Sequence, residues 1–241
     1  MVDLNISFSK YDYFGILIPG IFSLVLIVLL VPTGSFINLG GLIASFGNLE
    51  IAFIFLISVG IVIISYILGL LLGGLGSWLL EDQIIGKKLN LPSQNLFELK
   101  ETRVNNKFFR RYRASYSEQF QTQFLKEFDG FFKGFDHENG DDMLRLCYHI
   151  VKEKCPNTIN RLSTFIALQG LYRSLMVTFL IGSFLFLINL ILTLSPLSLL
   201  IIISFPFLCL FCLEKFLQFY RAISDEIFSS FYVYCLDLKK E

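Results

Sequence analysis

Charge is scarce in this chain, and it is missing altogether from three long segments. Charged residues make up 17% of the 241 residues, whereas 54% are hydrophobic. No Asp, Glu, Lys or Arg occurs over positions 14–48, 51–80 or 174–213. A soluble domain disperses its charge along the chain. The pattern therefore excludes an ordinary water-soluble protein and indicates an integral membrane protein.

Residues that carry catalysis are equally sparse. The chain has two histidines, His137 and His149, and neither lies at motif spacing from a nucleophilic Ser or Cys. There is no P-loop, no H-E-x-x-H and no G-x-S-x-G. We therefore expect a protein that is not an enzyme and that binds no cofactor.

The five cysteines do not form a metal-binding pattern. Cys209 and Cys212 make a C-x-x-C inside an uncharged segment, far in sequence from both histidines. A structural zinc site needs four ligands. The acidic pair Asp141-Asp142 is better explained as the start of a helix, where carboxylates favour the positive end of the dipole. We predict no metal site and interpret the cysteines as small, polarizable core residues.

The uncharged segments contain four candidate membrane spans. A spanning helix needs about 20 apolar residues, and Ser195-Pro196 divides the last segment in two. The spans are predicted near 13–32, 52–79, 173–194 and 198–214. None contains an ionisable residue except Arg173 at its very start, which argues against proton coupling and voltage sensing.

Basic residues set the predicted orientation. All but five of the 20 Lys and Arg residues lie between Lys87 and Arg173, and the two short loops between spans have none. The positive-inside rule then places both termini and the central region in the cytoplasm, as in a multi-pass protein of a bacterial inner membrane. No strand-like alternation occurs. The predicted fold is all-α, with four transmembrane helices and a helical cytoplasmic domain inserted between spans 2 and 3.

Three segments follow from this topology. Residues 1–86 form a first transmembrane hairpin, residues 87–157 the cytoplasmic domain, and residues 158–241 a second hairpin whose helices extend into the cytoplasm. Within the cytoplasmic domain, Phe120, Phe124, Phe128 and Phe131 follow one another at helical spacing and predict an apolar helix face.

Two spans carry a stripe of small or polar residues on one helix face. In the second span the G-x-x-x-G pair and a further glycine permit close approach of another helix; these are Gly69, Gly73 and Gly76. In the third span five residues lie within about 100° of one another; these are Ser174, Thr178, Gly182, Asn189 and Thr193. Such faces contact protein or water and avoid lipid tails. Helix packing and the lining of a pore both remain open.

A basic and aromatic segment precedes a predicted helix at "SYSEQF". Ser115 and Glu118 fit the S-x-x-E capping box, and free N–H groups at a helix start favour anions. The candidate anion-binding residues are Lys107, Arg110, Arg111, Tyr112, Arg113 and Ser115. Three interpretations remain open: a solvated segment paired with acids, a surface for anionic headgroups, and a site for a nucleotide or short single-stranded nucleic acid. Duplex nucleic acid is not expected.

Several short stretches carry a resemblance. "YDYFGILIPG", "YSEQF", "LYRS" and "KFLQFYRAISDEIFSSF" resemble those of small bacterial four-span membrane proteins with a helical cytoplasmic insert, which act in anti-phage defence. The resemblance implies a membrane effector or sensor that works with a soluble partner, and no functional residue transfers with it.

The sequence supports two hypotheses about function. The first is an oligomeric, cytoplasmically gated, pore-forming effector in antiviral defence, controlled by a nucleotide-derived signal or a protein partner. The alternative is a non-conducting membrane scaffold or sensor that recruits a soluble protein. Expected partners are the lipid bilayer, further copies of the chain, and a cytoplasmic protein or a nucleotide or oligonucleotide signal.

Overall fold

The computed structural model describes residues 9–30, 51–99, 109–134, 140–193 and 196–239. Over these residues the chain is helical and contains no strand, which confirms the all-α prediction. Two π-helical segments, π1 and π2, accompany eight α-helices in the described ranges. In chain order the elements are π1 Asp12–Leu17, α1 Ile18–Leu30, α2 Ile51–Gly76, π2 Ser77–Leu89, α3 Pro92–Leu96, α4 Arg110–Arg113, α5 Glu118–Phe131, α6 Gly140–Lys154, α7 Pro156–Thr193 and α8 Pro196–Leu238.

Three helical stretches are long and apolar enough to cross a membrane, judged by length and composition. They are Ile54–Leu96, Pro156–Leu192 and Ser198–Leu238. The first helix is also apolar, but its described stretch, Asp12–Val28, is shorter. These helices agree with an integral membrane protein.

The chain divides into two compact units. Unit 1 comprises residues 1–76 and 170–214, and unit 2 comprises residues 77–169 and 215–241. Helices α7 and α8 each contribute residues to both units. Hydropathy along the chain predicts three consecutive segments, 1–86, 87–157 and 158–241. The two units instead group the residues that pack together.

Unit 1 joins α1, α2 and parts of α7 and α8, with a few aromatic contacts at its centre. Phe179 meets Phe22 edge-on, with ring centroids 5.5 Å apart, and also Phe205 at 5.2 Å. Phe186 packs against the same Phe205 ring at 5.9 Å. Most other large side chains of the unit lie on its surface, where lipid rather than water is the expected neighbour.

Unit 2 has a core built largely from phenylalanine. Phe124 and Phe128 of α5 are fully buried against Phe228 and Phe231 of α8. Phe97, which follows α3, meets both α5 and α8 with centroids 5.0 Å from Phe124 and from Phe228. The predicted apolar face of α5 is confirmed at Phe124 and Phe128, with Phe120 packed against the core, whereas Phe131 is 43% exposed. Helix α6 closes the core with residues at the expected helical spacing, namely Met143, Cys147 and Val151.

Short helix α3 is buried along its whole length, so its polar groups need partners inside unit 2. Asn95 donates from Nδ2 to the carbonyl of Leu89, the last residue of π2, at 2.9 Å. Ser93 donates to Asp141 at the start of α6 at 2.6 Å. The helix ends at Leu96, and Glu98, two residues further on, has a left-handed φ of 55°. These bonds fix α3 between π2 and α6.

Candidate functional site

The polar stripe of α7 is buried inside unit 1. Ser174 is fully buried, and its hydroxyl donates to the carbonyl of Gly15 in π1 at 3.2 Å. Thr178, also buried, donates to the carbonyl of Ser174 in its own helix at 2.9 Å. The first half of the stripe therefore faces another helix of the same chain.

Pro19 explains why Gly15 accepts a hydrogen bond from another helix. A proline has no N–H, and its ring clashes with the carbonyl four residues earlier, which here belongs to Gly15. The backbone responds with the π-helical turn, in which the N–H of Ile18 bonds to the carbonyl of Tyr13, five residues back. Ser174 then supplies a donor to Gly15 that Pro19 lacks.

The second half of the stripe contacts α1 and α8. A Cβ at Gly182 would lie 2.6 Å from the ring of Phe205, so any other residue there would force this ring to shift. Asn189 is half-buried and donates from Nδ2 to the hydroxyl of Ser198 at 3.3 Å. Thr193 is the last residue of α7, and its side chain lies outside the described residues.

The glycine face of α2 also meets helices of the same chain. A Cβ at Gly69 would overlap the carbonyl oxygen of Ile16, and one at Gly20 would overlap that of Ser65. Gly76 lies against Arg173, whose Cγ would be 2.7 Å from an added Cβ. Gly73 is less crowded, with its nearest neighbour, Ser174 Oγ, at 3.8 Å.

One polar group of unit 1 was not predicted from the sequence. Arg173 donates to the hydroxyl of Tyr11 at 2.8 Å. Next to Tyr11, Asp12 accepts from the backbone and hydroxyl of Ser9 at 2.8 and 2.7 Å, and from Tyr66 at 3.4 Å. The signal available in the sequence is the position of Arg173, directly before a charge-free segment of 40 residues.

The basic segment of unit 2 is only partly a surface. Arg110 and Arg111 of α4 are exposed, whereas Arg113 and Ser115 are half-buried. Tyr112 is buried, and its hydroxyl donates to the carbonyl of Asn90 at 2.9 Å. Tyr112 is therefore an anchor of α4 in unit 2. Lys107 lies outside the described residues.

The prediction that Ser115 caps the next helix is wrong. Helix α5 begins at Glu118, and its N-cap is Ser117, whose hydroxyl accepts from the N–H of Phe120 at 3.4 Å. The helix starts two residues later than expected because Tyr116 is held in a non-helical position. Its N–H donates to the carbonyl of Leu96 at 3.0 Å, outside any helix ladder.

Arg221 and Asp225, one helical turn apart on α8, clamp this segment. Arg221 donates from Nη1 to the carbonyls of Arg111 and Tyr112, both at 2.9 Å. Asp225 accepts from the hydroxyl of Tyr116 at 2.6 Å. The sequence signal was an i, i+4 pair of opposite charges within the apolar repeat of α8.

Tyr112 and Tyr116, which lie against this clamp of Arg221 and Asp225, have altered pKa values. Burial, assisted by the carboxylate of Asp225, raises the pKa of Tyr116 far above its ordinary value. Burial likewise raises the pKa of Tyr112. Both phenols therefore keep their protons, and both serve as hydrogen-bond donors at physiological pH.

The cysteines show no sign of reactive chemistry. Burial raises the pKa of Cys147 well above its usual range, which keeps the thiol protonated and unreactive. Cys209 donates weakly to the carbonyl of Met176, with sulfur and oxygen 3.6 Å apart. Within the described ranges, no three His, Cys, Asp or Glu side chains are arranged to hold a metal ion.

No protein-family model matches this chain, and no curated protein or solved structure shows significant similarity to it.

Proposed function

We propose that the protein is a non-conducting membrane scaffold or sensor, whose helical cytoplasmic unit recruits a soluble partner. In this proposal the chain crosses the inner membrane four times. Both termini and unit 2 lie in the cytoplasm, as the distribution of Lys and Arg supports.

One observation carries the choice of a scaffold over a pore. A pore through this chain would need a polar lining, and the polar stripe of α7 is the face that offers one. That face is filled by the chain's own helices, through Ser174 and Gly15, Gly182 and Phe205, and Asn189 and Ser198. Most exposed residues of α2, and of α7 within unit 1, are instead large and apolar, for example Phe55, Leu71 and Phe184. Such faces are suited to contact with lipid or with another apolar helix. They have no polar groups that could replace the water around an ion.

A second candidate function is the oligomeric, gated effector, which a different observation favours. Helices α7 and α8 run for 38 and 43 residues and each belongs to both units. A signal bound by unit 2 would then act on helices that also form part of unit 1. Resemblance to membrane effectors of anti-phage defence points the same way.

Membrane potential separates the two functions. The full chain is expressed in bacterial cells with a potential-sensitive dye, and purified protein is tested for ion flux in liposomes. The scaffold predicts no depolarisation and no flux. If depolarisation or flux is observed, two variants test whether ions pass along the stripe. Asn189→Leu alters the stripe, and Ser204→Ala alters an exposed serine of α8 as a control.

Depolarisation that Asn189→Leu changes and Ser204→Ala leaves intact would contradict the scaffold and establish conduction along the stripe. If potential is unchanged, recruitment is tested by co-purification of a soluble protein with the full chain. Partner binding should be lost when Phe124→Ala disrupts unit 2 and kept when Gly69→Ala disturbs unit 1.

A further inference from the structure

Two exposed basic segments lie next to each other in unit 2. Lys87 and Lys88 form the last turn of π2, and both are exposed. Arg110 and Arg111 open α4, and both are exposed as well. These four residues come from segments more than 20 positions apart, so the sequence alone did not join them.

A hydrogen bond joins the two segments. The hydroxyl of Tyr112 reaches the carbonyl of Asn90, at 2.9 Å, and Asn90 is the second residue after Lys88. The two basic pairs therefore lie on segments separated by the length of one tyrosine side chain. We call Lys87, Lys88, Arg110 and Arg111 the basic surface.

Arg221 holds this surface in place without being part of it. Its guanidinium satisfies two carbonyls at the end of α4, which would otherwise lack partners in so short a helix. With Tyr112 anchored on one side and Arg221 on the other, α4 presents Arg110 and Arg111 outward.

The basic surface carries no carboxylate of its own. The last turn of π2 and the whole of α4 contain no Asp or Glu. Nearby, Asp141 is half-buried and accepts from Ser93 at 2.6 Å, so it is engaged within unit 2. Helix π2 also carries Glu81 and Asp82, about one turn before Lys87. The four exposed cations outnumber these two acids, and this excess of positive charge favours an anionic partner.

The position of the lysines along the chain favours a membrane partner. Lys87 follows the predicted end of the second span, position 79, by eight residues, and this stretch is helical. Because a π-helix rises less per residue than the roughly 1.5 Å of an α-helix, this stretch covers at most about 12 Å. That distance is close to the sum of two lengths. These are the depth of the headgroup layer and one Debye length, which is about 8 Å at physiological salt. Juxtamembrane clusters of this kind attract anionic lipids of the cytoplasmic leaflet.

From these observations, we propose that the basic surface docks on anionic phospholipid headgroups of the membrane in which the chain is embedded. This inference rests on the proposed topology of a membrane protein with unit 2 in the cytoplasm. Arginine forks and lysine ammonium groups bind the phosphate groups, and the headgroup charge selects the lipid.

The test is lipid retention by the full chain. Protein purified in a neutral detergent is titrated with phosphatidylglycerol or phosphatidylcholine, and bound lipid is counted by native mass spectrometry. The variant K87Q/K88Q/R110Q/R111Q removes the basic surface. A matched control, K126Q/K133Q/K152Q/K154Q, removes four other exposed cations of unit 2.

The parent chain should retain phosphatidylglycerol in preference to phosphatidylcholine. The basic-surface variant should bind phosphatidylglycerol at least about tenfold more weakly, given the contribution of each cation near an anionic surface. The control variant should bind within about twofold of the parent, because its charges lie elsewhere. Any of three results overturns the proposal: equal retention of the two lipids, unchanged binding by the basic-surface variant, or an equal loss in the control.

Two further measurements distinguish lipid docking from binding of a soluble anion and from an error in the proposed topology. Binding of ATP or inorganic phosphate that depends on the basic surface, without lipid selectivity, would assign the surface to a soluble anion and overturn lipid docking. Alkaline washing of cell membranes tests the topology separately. A parent chain released by the wash contradicts the proposed function, whereas a retained parent with no lipid selectivity contradicts only this inference.

Discussion

The two units of this protein pack their helices with opposite kinds of side chain. In unit 1 the closest helix contacts occur at small residues, such as Gly20 against Ser65 and Gly69 against Ile16. In unit 2 the contacts are made by large rings, with Phe124 and Phe128 fully buried against α8.

These two packing styles are the ones expected of helices in two different solvents. A helix surrounded by lipid gains little by burying apolar area, since lipid tails are already apolar, so close backbone approach and interhelical hydrogen bonds supply the attraction. A helix in water gains about 25 cal/mol for each Å² of apolar surface it buries, which favours the largest side chains. The packing style thus supports a membrane setting for unit 1 and an aqueous one for unit 2.

Removing a ring from unit 2 should have the largest effect. Phe124→Ala deletes a fully buried side chain that meets Phe97, Phe228 and Phe231. The cost should be about 3–5 kcal/mol of unfolding free energy. Urea unfolding of the full chain in detergent, followed by hydrogen exchange of α5 amides, measures it.

Phe131→Ala is the matched control, because Phe131 belongs to the same helix and is 43% exposed. Its cost should be clearly smaller. Equal losses in the two variants would show that ring burial does not stabilise unit 2 as described.

The clamp should have the next largest effect, and it is sensitive to pH. Tyr116→Phe removes the donor to Asp225 and should cost about 1.5–3 kcal/mol at neutral pH, since the acceptor is charged. Because the pKa of Tyr116 is raised by folding, its contribution is complete below about pH 10, the pKa of an unfolded tyrosine. The contribution is lost as the pH rises above that value.

Urea unfolding of unit 2 at neutral pH and above pH 10 measures both effects. The parent should lose stability in alkali more steeply than Tyr116→Phe does, and Tyr148→Phe in α6 serves as the control. A Tyr116→Phe variant with the same alkaline slope as the parent would rule out this tyrosine as the source.

Adding one methyl group to unit 1 should have a smaller effect that depends on position. Gly69→Ala forces α2 away from the carbonyl of Ile16 and should cost about 1–3 kcal/mol. Gly74→Ala, five residues further along the same helix, meets nothing within 4 Å. Alanine also favours a helix over glycine, so Gly74→Ala should be neutral or slightly stabilising.

Unfolding in mixed micelles with increasing dodecyl sulfate, followed by circular dichroism, compares the two glycine variants. Similar behaviour would mean that the close contact at Gly69 contributes nothing to unit 1.

Patterns within one helix were readable from the sequence, and contacts between distant positions were not. The apolar face of α5 follows from helical spacing alone, and the structure confirms it. The cap was misassigned from Ser117 to Ser115 because both serines precede Glu118, and the choice depends on the bond from Tyr116 to Leu96, 20 positions away. Pro19 has no N–H to offer the carbonyl of Gly15, and the donor that replaces it, Ser174, is 159 positions away in the sequence. The sequence placed Arg110 and Arg111 in a candidate anion-binding segment, but for the same reason it did not bring Lys87 and Lys88 next to them.

Unit 2 is assembled from two separate parts of the chain, and this affects how the protein is made. Its core contains Phe228, Phe231 and Cys235, which belong to the part that begins at position 215. A ribosome synthesises the whole of unit 1 before these residues emerge. Until then the apolar faces of α5 and α6 lack the partners that α8 supplies. Unpaired apolar surface of this kind is prone to aggregation and is bound by chaperones. Synthesis of the last predicted span, residues 198–214, therefore precedes completion of the core of unit 2.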